Sequence, residues 1–216
     1  MEIKTPAEIG PGEFFPVVGV GPHPEPWPTG EQYDPELLAN GDRRNVLDHY
    51  RYWSVPAIVA DLNTKRHKLQ IAIENWQHDL NIGSVVRTAN AFNVSAVHII
   101  GKRDWNKRGA MVTDRYLTVM HHPTIAEFAQ WCRENSLPII GIDNVPTSRH
   151  LEGSALPESC VLLFGQEGAG MSDEGIEVCE VLYAIEQYGS TRSMNASAAG
   201  AIAMYHWALQ HLPRKS

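Results

Sequence analysis

Apolar and polar positions along this chain follow two periods. Short apolar runs occupy residues 69–73, 94–100, 138–142, 161–164 and 181–185, each the length of a buried strand. Between them the spacing lengthens to the helical period. Residues 82–92 place Val85, Val86, Ala89 and Phe92 on one face, and Thr124 is positioned to cap a helix carrying Ile125, Phe128, Trp131 and Cys132. A run of small residues from Ala198 to Tyr205 opens a last helix that can pack closely on its neighbours. Residues 116–120 read as a short extended piece, and 143–158 as loop with a helical turn near 151–156. Strands alternating with helices predict an α/β fold: a mostly parallel sheet flanked by helices and joined by right-handed crossovers.

The first third reads differently. Residues 1–35 are rich in proline and glycine and predict an extended arm, with Phe14, Phe15, Trp27 and Tyr33 as packing anchors. Asp34 and Pro35 suit the start of a helical stretch reaching Trp53, interrupted at Gly41. A further helix over 57–65 ends in the basic run Lys65-Arg66-His67-Lys68. The expected division is therefore an arm and helical extension over 1–67 and an α/β domain over 68–216.

Two polar loops follow the last two apolar runs. The first is Gly165-Gln166-Glu167-Gly168-Ala169-Gly170, and the second runs from Tyr188 through Ser193, Met194 and Asn195 to Ser197. Both would leave the carboxyl ends of strands, where open α/β sheets bind ligands. The glycine loop lacks the Gly-Lys-Ser/Thr of a P-loop and the Gly-x-Gly-x-x-Gly of a dinucleotide fold. Glycines alone leave a structural turn and a ligand loop equally open. Asn81 can cap its helix; Arg87, two turns in, can lean back over Gly83 to the helix mouth. Glu167 reads as an exposed acid or as a bidentate partner for Arg87. Ser193 and Asn195 can cap the last helix, with Met194 an apolar lid beside them.

The formal net charge of −7 offers no global attraction for nucleic acid, so any such contact must be local. The densest basic stretch is Lys102, Arg103, Lys107 and Arg108, with Arg115 just beyond and Trp105 inside it. Cys132, Cys160 and Cys179 have no metal-type spacing and are odd in number, so thiols in a reducing cytosol are expected and no metal. Residues 1–15 lack the pattern of a signal peptide, and no apolar run reaches the roughly 20 residues of a membrane helix, so a cytoplasmic, soluble protein is expected.

Taken together, Asn81-x-Gly83-x-x-x-Arg87, then Phe164-Gly165-x-Glu167-x-x-Gly170, then Ile185, Gly189 and Ser193-x-Asn195-x-Ser197 resemble the three ordered motifs of the SpoU-type (TrmH-like) RNA ribose methyltransferases of the SPOUT superfamily. The resemblance covers about residues 70–212. It implies a C-terminal trefoil knot, S-adenosylmethionine as cofactor, a homodimer, and methylation of a ribose 2′-hydroxyl in tRNA or rRNA. It places Asn81, Arg87, Glu167, Ser193 and Asn195 in catalysis, and Gly165, Gly170, Ile185, Gly189 and Met194 at the cofactor. Lys102, Arg103, Lys107, Arg108 and Arg115 are the expected RNA contacts. Glu186-Gln187 stand where the family pattern has a more apolar pair. The alternative is an RNA-binding or assembly protein that keeps the fold without catalysis.

Overall fold

The computed structural model describes residues 19–76, 81–166 and 168–213; Phe14, Phe15 and Glu167 lie outside them. The chain divides into two compact units between Asp61 and Leu62.

In the first unit, Asp34 accepts hydrogen bonds from the Glu36 and Leu37 amides and starts helix α1 (Pro35–Asn40). Gly41 ends it with φ +91°, where a Cβ would sit 2.7 Å from the Val20 carbonyl oxygen. The helix does not resume toward Trp53 as expected; one 3-10 turn, Asp48–Tyr50, precedes helix α2 (Val55–Asn63). The reason is Asp42, fully buried just past Gly41. It accepts from Arg44 Nε at 2.8 Å and Nη2 at 2.7 Å, and from the Tyr52 amide at 3.0 Å, while Arg44 Nη2 also donates to the Trp53 carbonyl. This charge-assisted clasp holds 42–53 as a folded loop rather than a helix. Trp27, expected as a packing anchor, remains 40% exposed.

Burial pushes the Asp42 carboxyl up, but the Arg44 guanidinium and the Arg44 and Tyr52 amides outweigh it and hold the group at about 2. A depressed folded pKa stabilises above the unfolded value near 3.8 and is lost as pH falls through about 2. The loss expected across that window is about 2 kcal/mol, read as protection of the Tyr52 amide in hydrogen exchange corrected for intrinsic rate. Asp42→Asn, already destabilised, shows no step there.

The second unit is built on seven parallel strands in the order β3-β2-β1-β6-β4-β7-β5. They are β1 (His67–Asn75), β2 (Val94–Gly101), β3 (Val119–His122), β4 (Ile139–Ile142), β5 (Arg149–His150), β6 (Cys160–Phe164) and β7 (Val181–Ala184). Side chains alternate between faces. Leu69, Ile71 and Ile73 of β1, with Cys160, Leu162 and Phe164 of β6, meet helices α3 (Asn81–Ala91) and α6 (Ala196–His211) on one face. Ala72, Val161 and Leu163 meet α4 (Ile125–Glu134) on the other, near the short α5 (Asp173–Glu177). Gly200 of α6 faces Val85 of α3, where an added Cβ would be in ordinary contact at 3.6 Å. Gly200→Ala is thus expected to stabilise the protein by about 0.5–1 kcal/mol, seen as a higher urea midpoint.

Three local departures have physical causes. β5 has two exposed residues paired with β7, so no apolar pattern announces it; the turn expected near 151–156 is a single one at 151–154, closed by the Ser154 amide on the Leu151 carbonyl at 3.0 Å and not helical, since Gly153 has φ +77°. The expected extended piece over 116–120 begins later, after a 3-10 turn at Thr113–Tyr116, and reaches His122. His122 is buried because its Nε2 meets His98 Nδ1 at 2.9 Å, and His98 Nε2 meets Gln70 Oε1 at 2.7 Å. Burial, with His122 adjacent, pushes His98 down to about 3, and burial lowers His122 too, so both rings are neutral near pH 7: His98 Nε2 donates to Gln70 and its Nδ1 accepts from His122. β1 also runs through Glu74 and Asn75, beyond the apolar run 69–73. Buried Glu74 accepts from Trp76 Nε1 and from the Ser172 amide and hydroxyl, fastening the N-cap of α5 to the strand.

Candidate active site

Three loops leave the carboxyl ends of adjacent strands β6, β4 and β7 and enclose a cavity of about 470 Å³. Ile142, Phe164, Ile185, Met194 and Ala199 supply apolar wall; Asn144, Gln166, Gln187 and Arg192 supply polar groups. The size and mixed lining suit a small organic ligand. The glycine loop closes on itself: the Gln166 amide donates to the Gly170 carbonyl at 3.2 Å and the Gly170 amide returns to Gln166 at 3.0 Å. Asp143, after β4, accepts the Met171 amide at 2.7 Å and locks that closure from the next strand. Gly165 is required because a Cβ there would lie 2.1 Å from the Met171 nitrogen. Its glycine thus serves a backbone crossing inside the loop, not open space for a ligand. Gln166 Oε1 is buried in this wall with no hydrogen-bond partner among the described residues.

The second loop is tied down by amides. Asn144 Nδ2 donates to the Arg192 carbonyl at 3.0 Å, and Gln187 Nε2 reaches the same oxygen at 3.4 Å. The polar Glu186-Gln187 pair therefore fastens the rim: the Glu186 amide is held by Glu152 Oε1 at 3.1 Å and its carboxylate by the Tyr188 hydroxyl. Asn195 does two jobs. Its Oδ1 caps α6 through the Ser197 and Ala198 amides, and its Nδ2 donates to Asn81 Oδ1 at 2.8 Å, joining the start of α3 to the start of α6. Ser193, Met194 and Asn195 line the cavity, as do Gly165, Gly170 and Ile185; Gly189 and Arg87 do not.

Residues 68–205 match the family model described as the SpoU rRNA Methylase family. The chain belongs to that family. It is 25% identical over 147 residues to the tRNA (guanosine(18)-2'-O)-methyltransferase of Borreliella burgdorferi, covering 67% of each chain. Among solved structures it is similar to the A. aeolicus TrmH/SpoU tRNA modifying enzyme, with TM-score 0.64 and 20% identity over 72% of this chain and 81% of that one. It is similar also to the SpoU methyltransferase AviRb from Streptomyces viridochromogenes, solved in complex with AdoMet: TM-score 0.62, 21% identity, 70% of this chain and 64% of that one. The family and fold expected from the three motifs are borne out, and the trefoil knot is what membership implies.

Within this SpoU domain the structure changes the reasons for several residues. Gly83 does not clear a path for Arg87. A Cβ there would meet the Ala110 nitrogen and Asn106 oxygen at 2.8 Å, so Gly83 exists to seat the 3-10 turn Lys107–Ala110 against α3. Arg87 is exposed, and its side chain forms no hydrogen bond or ion pair to another described residue. Trp105 packs inward on the core rather than standing ready to stack, with Lys107 Nζ 5.5 Å from its ring centre and 3.1 Å from Asp114. Lys102, Arg103, Arg108 and Arg115 are exposed. The Lys65–Lys68 cluster is largely spent on structure: Arg66 holds Asn93 and the Tyr116 carbonyl, and Lys68 pairs with Glu158. Reasoning from sequence missed Asp143, Asn144 and Arg192. Position alone could have found the first two, since they directly follow an apolar run read as a strand.

Among the described residues no helix is long and apolar enough to cross a membrane.

Proposed function

We propose that the protein transfers a methyl group from S-adenosylmethionine to a ribose 2′-hydroxyl of tRNA or rRNA in the cytoplasm, as a homodimer. The observation that carries this is the Asn195–Asn81 hydrogen bond, which brings the first and third motifs together at the edge of the cavity. The cavity fits the cofactor. Its apolar walls suit a flat base, and the orphan Gln166 oxygen suits a ligand that brings N–H or O–H donors, as an adenosyl group does.

When bound, the cofactor supplies an electrophilic methyl on a sulfonium. The chain must align the acceptor oxygen with it, exclude water and ease loss of the hydroxyl proton. Arginine stays protonated in proteins, so Arg87 acts as a clamp on phosphate and developing alkoxide rather than as a free base. Glu167 is its orienting partner, and Ser193 and Asn195 hold the ribose. The cations Lys102, Arg103, Arg108 and Arg115 supply local attraction that the net charge does not. Ile202, Tyr205 and Leu209, one helical stripe of α6, are 42%, 57% and 51% exposed and supply an apolar face for the second copy.

Transfer of labelled methyl to total RNA, followed by digestion and nucleoside identification, is expected to return a 2′-O-methylnucleoside. RNA binding without any methyl transfer, under conditions where S-adenosylhomocysteine binds, assigns the protein instead to RNA binding or assembly. Sedimentation is expected to show a dimer that Tyr205→Asp dissociates.

A further inference from the structure

Between the 3-10 turns Lys107–Ala110 and Thr113–Tyr116 the backbone passes through Met111 and Val112 with φ +48° and +66°. Successive left-handed residues other than glycine are uncommon, and a β-branched valine there is an outlier. The conformation is imposed from around it. The buried Thr113 hydroxyl donates to the Ala110 carbonyl at 2.7 Å, and a Cβ on Gly109 would lie 3.0 Å from the Ser84 nitrogen, so the turn is pressed onto α3. The strain serves no core, because Met111 and Val112 are 59% and 53% exposed. Arg108 and Arg115 flank them in sequence, both exposed, and their guanidinium groups make no hydrogen bond or ion pair to another described residue.

We infer that Met111 and Val112 form a rigid apolar wedge that docks against unpaired or unstacked bases of the RNA substrate, with Arg108 and Arg115 gripping phosphates beside it. This rests on the RNA methyltransferase reading. Charge selects the occupant: an apolar tip flanked by cations complements a base face bounded by phosphates. A second copy meeting this tip about a two-fold axis would instead set the same arginines against each other. Placement agrees. The turn leading into the tip is seated against Gly83 in the first turn of α3, two residues from Asn81, which bonds Asn195 at the cavity edge. The wedge takes the role that Trp105, turned inward, does not fill.

The test is the double variant Met111→Ser/Val112→Gly, in which glycine accepts the backbone and both apolar groups are gone. Affinity for unfractionated tRNA and rRNA in filter binding is expected to fall about tenfold or more, the order of one lost base contact. The slope of log affinity against log salt is expected to stay unchanged, since no phosphate contact is removed. S-adenosylhomocysteine affinity holds, and Tm is equal or higher. Arg108→Glu/Arg115→Glu gives the opposite signature, a slope flattened by about 0.7–0.9 per lost contact. Wild-type RNA affinity in the wedge variant overturns the inference, as does an affinity loss accompanied by a lower Tm. A shift toward monomer in sedimentation with RNA affinity intact also overturns it and assigns the tip to a second copy. Failure of the underlying reading looks different: the wild-type protein would then transfer no methyl to RNA, whatever the wedge variant does to RNA affinity.

Discussion

Arg87→Lys is expected to lower methyl-transfer turnover by about two orders of magnitude or more, the usual effect of removing a donor aimed at developing charge. Lysine keeps the positive charge but loses the planar fork that can hold a phosphate oxygen and the 2′-oxygen together. The structure makes this a clean experiment. Arg87 is exposed and its side chain bonds to no other described residue, so stability should change by no more than about 0.5 kcal/mol. It does not line the cavity, so calorimetry should give an unchanged affinity for S-adenosylhomocysteine. Single-turnover transfer at saturating cofactor and RNA separates lost chemistry from lost binding. Wild-type turnover in Arg87→Ala would remove Arg87 from the mechanism.

The larger unit was legible in the sequence because β1, β2, β4 and β6 are buried on both faces and its helices on one. Continuous runs such as Val161 to Phe164, and the Val85, Val86, Ala89 spacing of α3, are direct imprints of that burial. What escaped has no such imprint. β5 is two exposed residues on an edge, and Glu74, Asn75 and His122 are polar groups whose burial depends on partners distant in the chain. The helix expected after Gly41 failed because Asp42 is satisfied by Arg44, two residues on, and by the Tyr52 amide, ten residues on, and that clasp overrides local helix propensity.

At the site, motif order placed the right loops together, but spacing could not say why each glycine is there. Gly83 read as making room for Arg87, and Gly165 as either a structural turn or a place for a ligand to approach. Both prove to be points where two stretches of backbone touch, Gly83 against the 3-10 turn before Met111 and Gly165 against Met171. Such contacts depend on how the chain returns upon itself, which no local pattern records.

That difference sharpens the outcome expected at Gly165. Even Gly165→Ala should be severe, because its Cβ would lie 2.1 Å from the Met171 nitrogen and 2.2 Å from the Gly170 carbonyl carbon, atoms that cannot rotate aside. Segment 170–171 must move, and with it the Met171 amide held by Asp143 and the paired bonds between Gln166 and Gly170. Those contacts form one wall of the cavity. Overpacking of this kind costs about 1–3 kcal/mol; at the upper end of that range, expressed on the ligand, it is about a hundredfold weaker binding of S-adenosylhomocysteine. Gly168 is the control. It has φ +90° but nothing within 4 Å of an added Cβ, so Gly168→Ala bears backbone strain of about 1–2 kcal/mol without displacing the wall. Calorimetry on both variants, with circular dichroism to show the sheet intact, should give a large loss for the first and a small one for the second. Equal affinities would mean that the cofactor does not rest on this loop.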